Sequence, residues 1–359
     1  MKQNKKKATL TDIETLTGVS KSTISRVLNN SENVNPDVRD KVLEAVSKTG
    51  YKKKKQQLKI DMKVSKLTLL IGDYLGVSTG FYTKLVTELR AVANRLNLEI
   101  DLIVLKDNDV DFLKKQLDEK EAVLLLGLDN PHILDTLIAA KIPSAIINGS
   151  DMEMHISSIS PDYEFGGYLA ANTLINNGHK RIKFIGSNYR HSLYQRKAGF
   201  IRALEMAGYE YRPEDFLILE DYAKSEMGDE AFADTILHDH GGMDFGAAKV
   251  LPHALETGAL DGYTSAFCIC DMVAVSLMDC LRDRKVSIPR EFSVIGFDNL
   301  DIASMMTPPL TTISTDFKTL AEASIQLLMT IVSKESAYFS RQLTKVNIES
   351  GASVSTPIL

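Results

Sequence analysis

From Leu67 onward the chain alternates short apolar runs with amphipathic stretches, and no other feature restricts its fold as tightly. Leu67 to Ile71, Glu99 to Leu105, Ala122 to Leu126, Ser144 to Ile147, Arg181 to Ile185, Ala266 to Ile269 and Phe292 to Ile295 read as strands. Tyr82 to Leu96, Tyr163 to Asn176, Ser192 to Ala207 and Met272 to Arg282 carry helical spacing. Strands apolar along their length are buried on both faces, so this rhythm predicts α/β architecture, with parallel sheets covered by helices on each side. The stretch is too long for one such sheet. Two doubly wound parallel-sheet lobes, with a ligand crevice at the carboxyl ends of their strands, are the economical arrangement.

With 44% hydrophobic and 25% charged residues, the 359-residue chain has the apolar material for large cores. Its longest apolar runs, such as Ala122 to Leu126 and Ile142 to Ile147, fall far below the roughly 18 residues a membrane span needs. The basic start at Lys5, Lys6 and Lys7 leads into Thr9, Thr11, Asp12 and Glu14 rather than an apolar export segment, which predicts a cytoplasmic protein. Cys268, Cys270 and Cys280 crowd one apolar stretch and are expected to be buried thiols; no metal or cofactor is expected.

The net charge of −5 hides an asymmetry: residues 1–66 carry +9 and the remainder −14. A small basic head on a large acidic body suggests that the head alone meets a polyanion, because a cationic face gains by releasing the counterions condensed on nucleic acid.

Residues 10 to 49 read as three short helices. Leu10 to Thr17 places Leu10, Ile13 and Leu16 on one face, and Gly18 suits a tight turn that needs left-handed backbone. Val19 points inward. Ser20 is a good N-cap for a second helix, Lys21 to Leu28, which turns Ile24, Val27 and Leu28 inward and Lys21, Ser22, Ser25 and Arg26 outward. Pro36 opens a third helix carrying Val38, Val42, Leu43 and Val46, and Gly50 ends it. Two helices joined by a tight turn, the second polar and basic outside, make a helix-turn-helix reader of the major groove.

The strings Leu10-Thr-Asp-Ile13, Gly18-Val-Ser20, Thr23-Ile-Ser-Arg-Val-Leu-Asn29 and Val34 through Gly50-Tyr51 closely resemble the N-terminal signature of the lactose-repressor/galactose-repressor (LacI/GalR) family. The resemblance implies that Lys21, Ser22 and Arg26 read base edges, with Thr9, Ser20, Thr23 and Asn29 as candidates for phosphate contacts. Glu14 and Thr17 stand where the family usually has alanine. The linker departs further: Tyr51 is followed by Lys52-Lys-Lys-Lys55-Gln-Gln-Leu58-Lys-Ile60, without the family's proline and asparagine. Ile60 falls at the position of the leucine that the family inserts into the minor groove, so the resemblance implies insertion into DNA through Ile60, with Leu58 as the alternative wedge and a flexible basic tether touching only phosphates as the other reading.

The resemblance continues through the body. Asp162-Tyr-Glu-Phe-Gly-Gly-Tyr-Leu-Ala170, Gly178-His-Lys-Arg-Ile182, Arg196-Lys-Ala-Gly-Phe200, Asp271-Met-Val-Ala274, Ser293-Val-Ile-Gly-Phe-Asp298 and Pro309-Leu-Thr-Thr312 look like successive family landmarks. The implied organisation is a small all-α DNA-binding domain over 1–51, a basic hinge over 52–66, and a two-lobed, periplasmic-binding-protein-like effector and dimerisation domain over 67–359. The implied function is a DNA-binding transcriptional regulator, most often a repressor in this family, acting as a homodimer on a pseudo-palindromic operator and switched by a small effector such as a sugar or sugar derivative. Arg196 matches the effector-binding arginine and Asp298 its acidic partner; Phe81 and Tyr82 match ring-stacking aromatics, and Asn148 a hydroxyl-binding position. A salt bridge across the cleft is the alternative role of Arg196 and Asp298. Cys270 replaces the asparagine that family members use on the ligand. The interval after Phe216 is longer than usual, leaving Tyr222, His240 and Phe245 as candidates for a further aromatic-type contact. A solute receptor would fit the body alone, but the basic head weighs against it. No Walker loop, dinucleotide-binding glycine pattern, nucleophile elbow or paired metal ligands point to an enzyme.

Overall fold

The computed structural model describes residues 9–28, 35–49, 60–73, 80–106, 109–117, 120–239, 241–334 and 338–357. The chain divides into two compact units, Met1–Lys59 and Ile60–Leu359. Asn29, Lys52 to Lys55, Leu58 and His240 lie outside the described residues.

The first unit is three helices: α1 (Leu10–Thr17), α2 (Lys21–Leu28) and α3 (Pro36–Thr49). Thr9 caps α1 in a reciprocal box with Asp12, and Gly18 closes it with φ of 67°. The core is built on Ile13, Ile24, Val27, Val42 and Ala45, with Leu10, Val19, Leu28 and Val46 packed around it. Leu16 and Leu43 depart from the expected inward faces: they are 62% and 47% exposed. At 100° per residue, Ile13 and Thr17 share the inward stripe, and Leu16 lies about 60° from Ile13 on the side away from Thr17, at the stripe's edge. Thr17 is buried in its place, its hydroxyl donating to the Ile13 carbonyl at 2.7 Å and accepting from the Val19 amide at 3.2 Å.

The second unit has two α/β lobes. The strands of the N-terminal lobe are β1 (Lys66–Gly72), β2 (Glu99–Leu105), β3 (Val123–Leu126), β4 (Ser144–Ile147), β5 (Ser157–Pro161) and β11 (Arg341–Thr344). Those of the C-terminal lobe are β6 (Ile182–Gly186), β7 (Phe216–Ile218), β8 (Ser265–Cys268), β9 (Ser293–Asp298), β10 (Thr311–Thr315) and β12 (Val346–Glu349). The orders are β11-β5-β4-β3-β1-β2 and β12-β10-β9-β8-β6-β7. All pairings are parallel except β10 with β12, an antiparallel edge absent from the expected all-parallel arrangement. Alternate residues serve opposite faces, as a period of two requires: Leu69, Ile71, Leu124 and Leu126 enter one apolar cluster, and Leu70, Val123 and Leu125 another. Ile60, Met62 and Val64 already pack against the first of these clusters.

The apolar strand pattern does not predict β5, β7, β10, β11 or β12. β5 (Ser-Ser-Ile-Ser-Pro) and β10 (Thr-Thr-Ile-Ser-Thr) lack an apolar run, yet their hydroxyl-bearing residues are largely buried. Both are crossing strands. After β5 the chain passes into the helix Tyr163–Asn176 of the C-terminal lobe, and after β10 into the helix Phe317–Val332 of the N-terminal lobe. Asp162 and Asp316 cap these helices alike, accepting from Phe165 N at 3.0 Å and Thr319 N at 2.9 Å. A third crossing runs through Lys345, between β11 and β12.

The helix Tyr163–Asn176 lies directly on the helix His191–Met206. A Cβ on Gly167 would stand 1.9 Å from the Arg196 carbonyl oxygen, and one on Gly199 would stand 1.8 Å from that of Glu164. The obstacle is backbone on both sides, so no rotamer change relieves it. Gly199→Ala should therefore cost at least about 3 kcal/mol, at the upper end of overpacking penalties. Denaturant unfolding that showed a loss below about 1 kcal/mol would contradict this contact.

Candidate functional site

The outward face of α2 carries the expected DNA-reading side chains. Lys21, Ser22 and Arg26 are exposed, and Thr23 is half-buried. Ser20 Oγ accepts from Thr23 N at 3.4 Å and lies 3.0 Å from Ser22 Oγ, so these hydroxyls are tied to the helix start. Thr9 is exposed at the start of α1. Glu14 reaches Lys21 at 3.5 Å, a surface ion pair that draws this cation toward α1. Of the two wedge candidates, Ile60 rests half-buried on the apolar cluster of the body, so insertion into DNA would require it to leave that contact.

The body's cleft, about 1940 Å³, lies between the lobes at the carboxyl ends of the strands. Phe81, Tyr82, Asn148, Arg196 and Asp298 all line it. Arg196 and Asp298 are 4% and 6% exposed. Arg196 Nη2 donates to Asp298 Oδ1 at 2.9 Å and Nη1 to the Ile269 carbonyl at 2.6 Å, while the guanidinium stacks over the Phe297 ring at 3.8 Å. The pair is a salt bridge, but one within the C-terminal lobe rather than across the cleft. Its residues come from the helix His191–Met206 and the end of β9. Burial pushes the Asp298 carboxyl up from its ordinary range, opposed by the charge and hydrogen bonds of Arg196. Asp298 has φ of 107° and Asn299 of 54°, a strained strand end of the kind that persists where side chains must be aimed.

Among the described residues, Arg196 Nε and Thr315 Oγ1 are buried without a hydrogen-bond partner. Both residues line the cleft. A buried unpaired donor costs about 1–3 kcal/mol, which a ligand group seated between them would recover.

Tyr82 and Asn148 come together differently from the expected ligand-facing arrangement. Asn148 Nδ2 donates to Tyr82 Oη at 2.5 Å and Asn148 Oδ1 accepts from Tyr163 Oη at 2.6 Å, so the amide bonds the lobes' own hydroxyls. Arg190 Nη1 donates to Tyr82 Oη at 3.0 Å. Lys84 spans the lobes as well, donating to the Asn299 carbonyl and pairing with Asp301, both at 2.8 Å. Phe81 packs on Phe317, ring centres 5.0 Å apart.

Of the candidates in the long interval, Phe245 lines the cleft with Met243, at the end of a π-helical turn, Gly241–Phe245. Tyr222 points elsewhere, to His253 and Thr257. Sequence reasoning missed Arg190, Lys84, Met272 and Thr315. Tyr189 and Arg190 follow the carboxyl end of β6, where open α/β sheets place ligand contacts, so the topology would have flagged them. Cys270 lines the cleft with its thiol pushed up to about 12 by burial and by Asp298, which keeps it neutral. Among the described residues no group of three or more metal-binding side chains is present, and no helix is long and apolar enough to cross a membrane.

Matches with known proteins bear on this geometry. Residues 9–54 match bacterial regulatory proteins, lacI family, and residues 171–354 match the periplasmic binding protein-like domain. The ribose operon repressor of Haemophilus influenzae is 26% identical over 330 residues, covering 90% of this chain and 91% of that protein. Catabolite control protein A of Priestia megaterium is 25% identical, covering 91% and 93%. Among solved structures, the transcriptional regulator CelR–cellobiose complex shares the fold at a TM-score of 0.66, with 21% identity and coverage of 97% and 100%. The Lac repressor bound to ONPG does so at 0.63, with 20% identity and coverage of 97% and 100%.

Behind Asp298, Asp271 accepts from the Leu300 amide at 2.7 Å and the Thr312 hydroxyl at 2.5 Å. Burial, and secondly Asp298, push its carboxyl up to about 7. Between about pH 4 and 7 the native chain thus holds a proton that the unfolded chain has released, so this group's contribution to stability falls as pH rises through that window. Asp271→Asn removes the titration. Denaturant unfolding should show the variant gaining on the wild type from pH 4 to pH 7, and a pH-independent difference would remove Asp271 from this role.

Proposed function

The chain belongs to the lacI family of bacterial regulatory proteins, and from that premise we propose that it is a transcriptional repressor whose grip on operator DNA is set by a small hydroxylated effector in the interlobe cleft. The observation that carries the reading is the strained, buried Arg196–Asp298 pair, with Arg196 Nε unspent, in a chain whose N-terminal unit presents Lys21, Ser22 and Arg26 on one exposed helix face. A forked guanidinium beside a carboxylate matches adjacent hydroxyls as donor and acceptor. The names of the relatives speak for regulation rather than catalysis: a ribose operon repressor and a catabolite control protein.

We assign residues 1–51 to DNA reading, 52–66 to a basic hinge and 67–359 to effector binding and dimerisation, in a protein that works in the cytoplasm. A single short recognition helix touches too few bases for useful specificity, so two chains present their heads to half-sites about 34 Å apart. Thr9, Ser20, Thr23 and Asn29 hold phosphates, and Lys52 to Lys55 add to that contact. The packing of Ile60 on the body favours the tether reading of the hinge over insertion.

Fluorescence anisotropy with the upstream intergenic DNA tests the two halves separately. Arg26→Ala should cost roughly 1–3 kcal/mol per half-site on specific DNA and little on random DNA. Equal weakening of both would remove its base-reading role. Arg196→Lys, which keeps a cation beside Asp298 but loses the forked donors, should keep operator affinity without ligand and lose the ligand response, since coupling requires differential affinity of the effector for two lobe arrangements. A variant that still responded normally would take Arg196 out of the site.

A further inference from the structure

Beside the main cleft lies a second chamber of about 390 Å³ on the β5 and β11 side of the body. The hydrogen-bonded Asn148 and Tyr163 stand in its wall, and Asn148, Tyr189 and Arg190 line both spaces. The first turn of the helix His191–Met206 lines it through His191, Ser192 and Gln195. That helix begins at Arg190 with no side-chain cap, so nothing from its own N-cap covers the first amides. Opposite stand Arg341 of β11 and Ser158 of β5.

Ser158 is the informative residue. It is 4% exposed, lines the chamber, and its hydroxyl makes no hydrogen bond among the described residues. Gln195 and Ser192 also line the chamber. Arg341 uses Nη2 on the Asp151 carbonyl at 2.7 Å, leaving its other donors to the chamber. Asp129 is the one carboxylate in the lining, and it already accepts from the Ser150 amide at 3.3 Å. Donors thus dominate: an uncapped helix start, two guanidinium groups, a buried hydroxyl and an amide. The helix start supplies partial positive charge, and the arginines supply full charges.

We propose that this chamber is an anion subsite, taking a carboxylate or phosphate carried by the same effector whose hydroxylated part lies against Arg196 and Asp298. The proposal rests on the effector reading above and narrows it to acidic sugar derivatives: a sugar acid or a sugar phosphate. The path between the two spaces runs past Asn148 and Arg190, which face both.

The test uses the full-length chain with a fixed panel of anions and sugars. Inorganic phosphate and acetate are compared with chloride at equal ionic strength by thermal unfolding. Calorimetry then compares glucose, glucuronate and glucose 6-phosphate, and ribose with ribose 5-phosphate. We expect phosphate or acetate to raise Tm above chloride, and one anionic member to bind roughly tenfold or more tighter than its neutral counterpart. Glucuronate against glucose 6-phosphate separates carboxylate from phosphate. Arg341→Gln should erase both the Tm rise and the preference, and Ser158→Val should reduce them. The subsite is wrong if no anion exceeds chloride and no pair favours its charged member, or if Arg341→Gln leaves the preference intact. If the anions bind as expected but operator release never follows, the regulatory reading fails while the subsite stands.

Discussion

A permanently charged guanidinium sits in a dry wall, and the body is arranged to make that tolerable. Arg196 is almost wholly buried, and its charge is met by Asp298, by the Ile269 carbonyl and by the faces of Phe297 and Tyr163. Removing one partner of such a pair typically costs about 3–5 kcal/mol, because the other is left buried and uncompensated. Each partner therefore has its own restraint. Gly167 and Gly199 let two helix backbones approach closely enough to fix Arg196, and the left-handed turn at Asp298 and Asn299 aims the carboxylate. Asp271 reinforces that turn from behind through the Leu300 amide.

The same economy explains the crossings. A chain that changes lobes must leave one sheet and enter a helix of the other without exposing unpaired amides. The repeated solution is a hydroxyl-rich strand, an aspartate cap and an aromatic: Pro161-Asp162-Tyr163 and Thr315-Asp316-Phe317. The aromatics then serve the cleft, Tyr163 beneath Arg196 and against Asn148, and Phe317 beneath Phe81. A connection device and a site wall are thus built from the same few residues.

Legibility in the sequence follows how far each interaction is local. The buried strands β1, β3, β4, β6, β8 and β9 announce themselves by apolar content, as does the helix Tyr163–Asn176, which the sequence bounds to the residue. Arg196 and Asp298 are readable from family-like strings. β5 and β10 are not, because most of their buried positions carry hydroxyl rather than apolar side chains, with Ser157, Thr311 and Thr312 hydrogen-bonded in place. Leu16 misleads for the opposite reason: it keeps an apolar side chain on a face that a short helix does not bury. The pairing of Asn148 with Tyr82 and Tyr163 joins residues far apart in the chain, and no spacing rule reaches it. The glycines at 166 and 167 are uninformative as a pair and acquire meaning only from what lies on them, the Phe297 ring over Gly166 and the Arg196 backbone over Gly167.

What holds the lobes in their relation is lighter than what holds each lobe together. Lys84 bridges to Asp301, whose side chain is 81% exposed, and ion pairs of that kind contribute about 0–1 kcal/mol. The Arg190–Tyr82 contact adds one charge-assisted hydrogen bond. Each lobe, by contrast, rests on apolar clusters of its own. Two lobes joined by weak polar ties and three crossings would need only a modest differential affinity to shift, and couplings of about 1–3 kcal/mol are of the order that allosteric effectors supply. An effector contacting Arg196 on one lobe and Tyr82 on the other would compete for the very groups that make these ties, since Arg190 and Asn148 are already spent on the Tyr82 hydroxyl. In the proposed reading, an effector that engaged the Tyr82 hydroxyl would thus loosen the Arg190 tie between the lobes, while Arg196 and Asp298 would hold it from within one lobe.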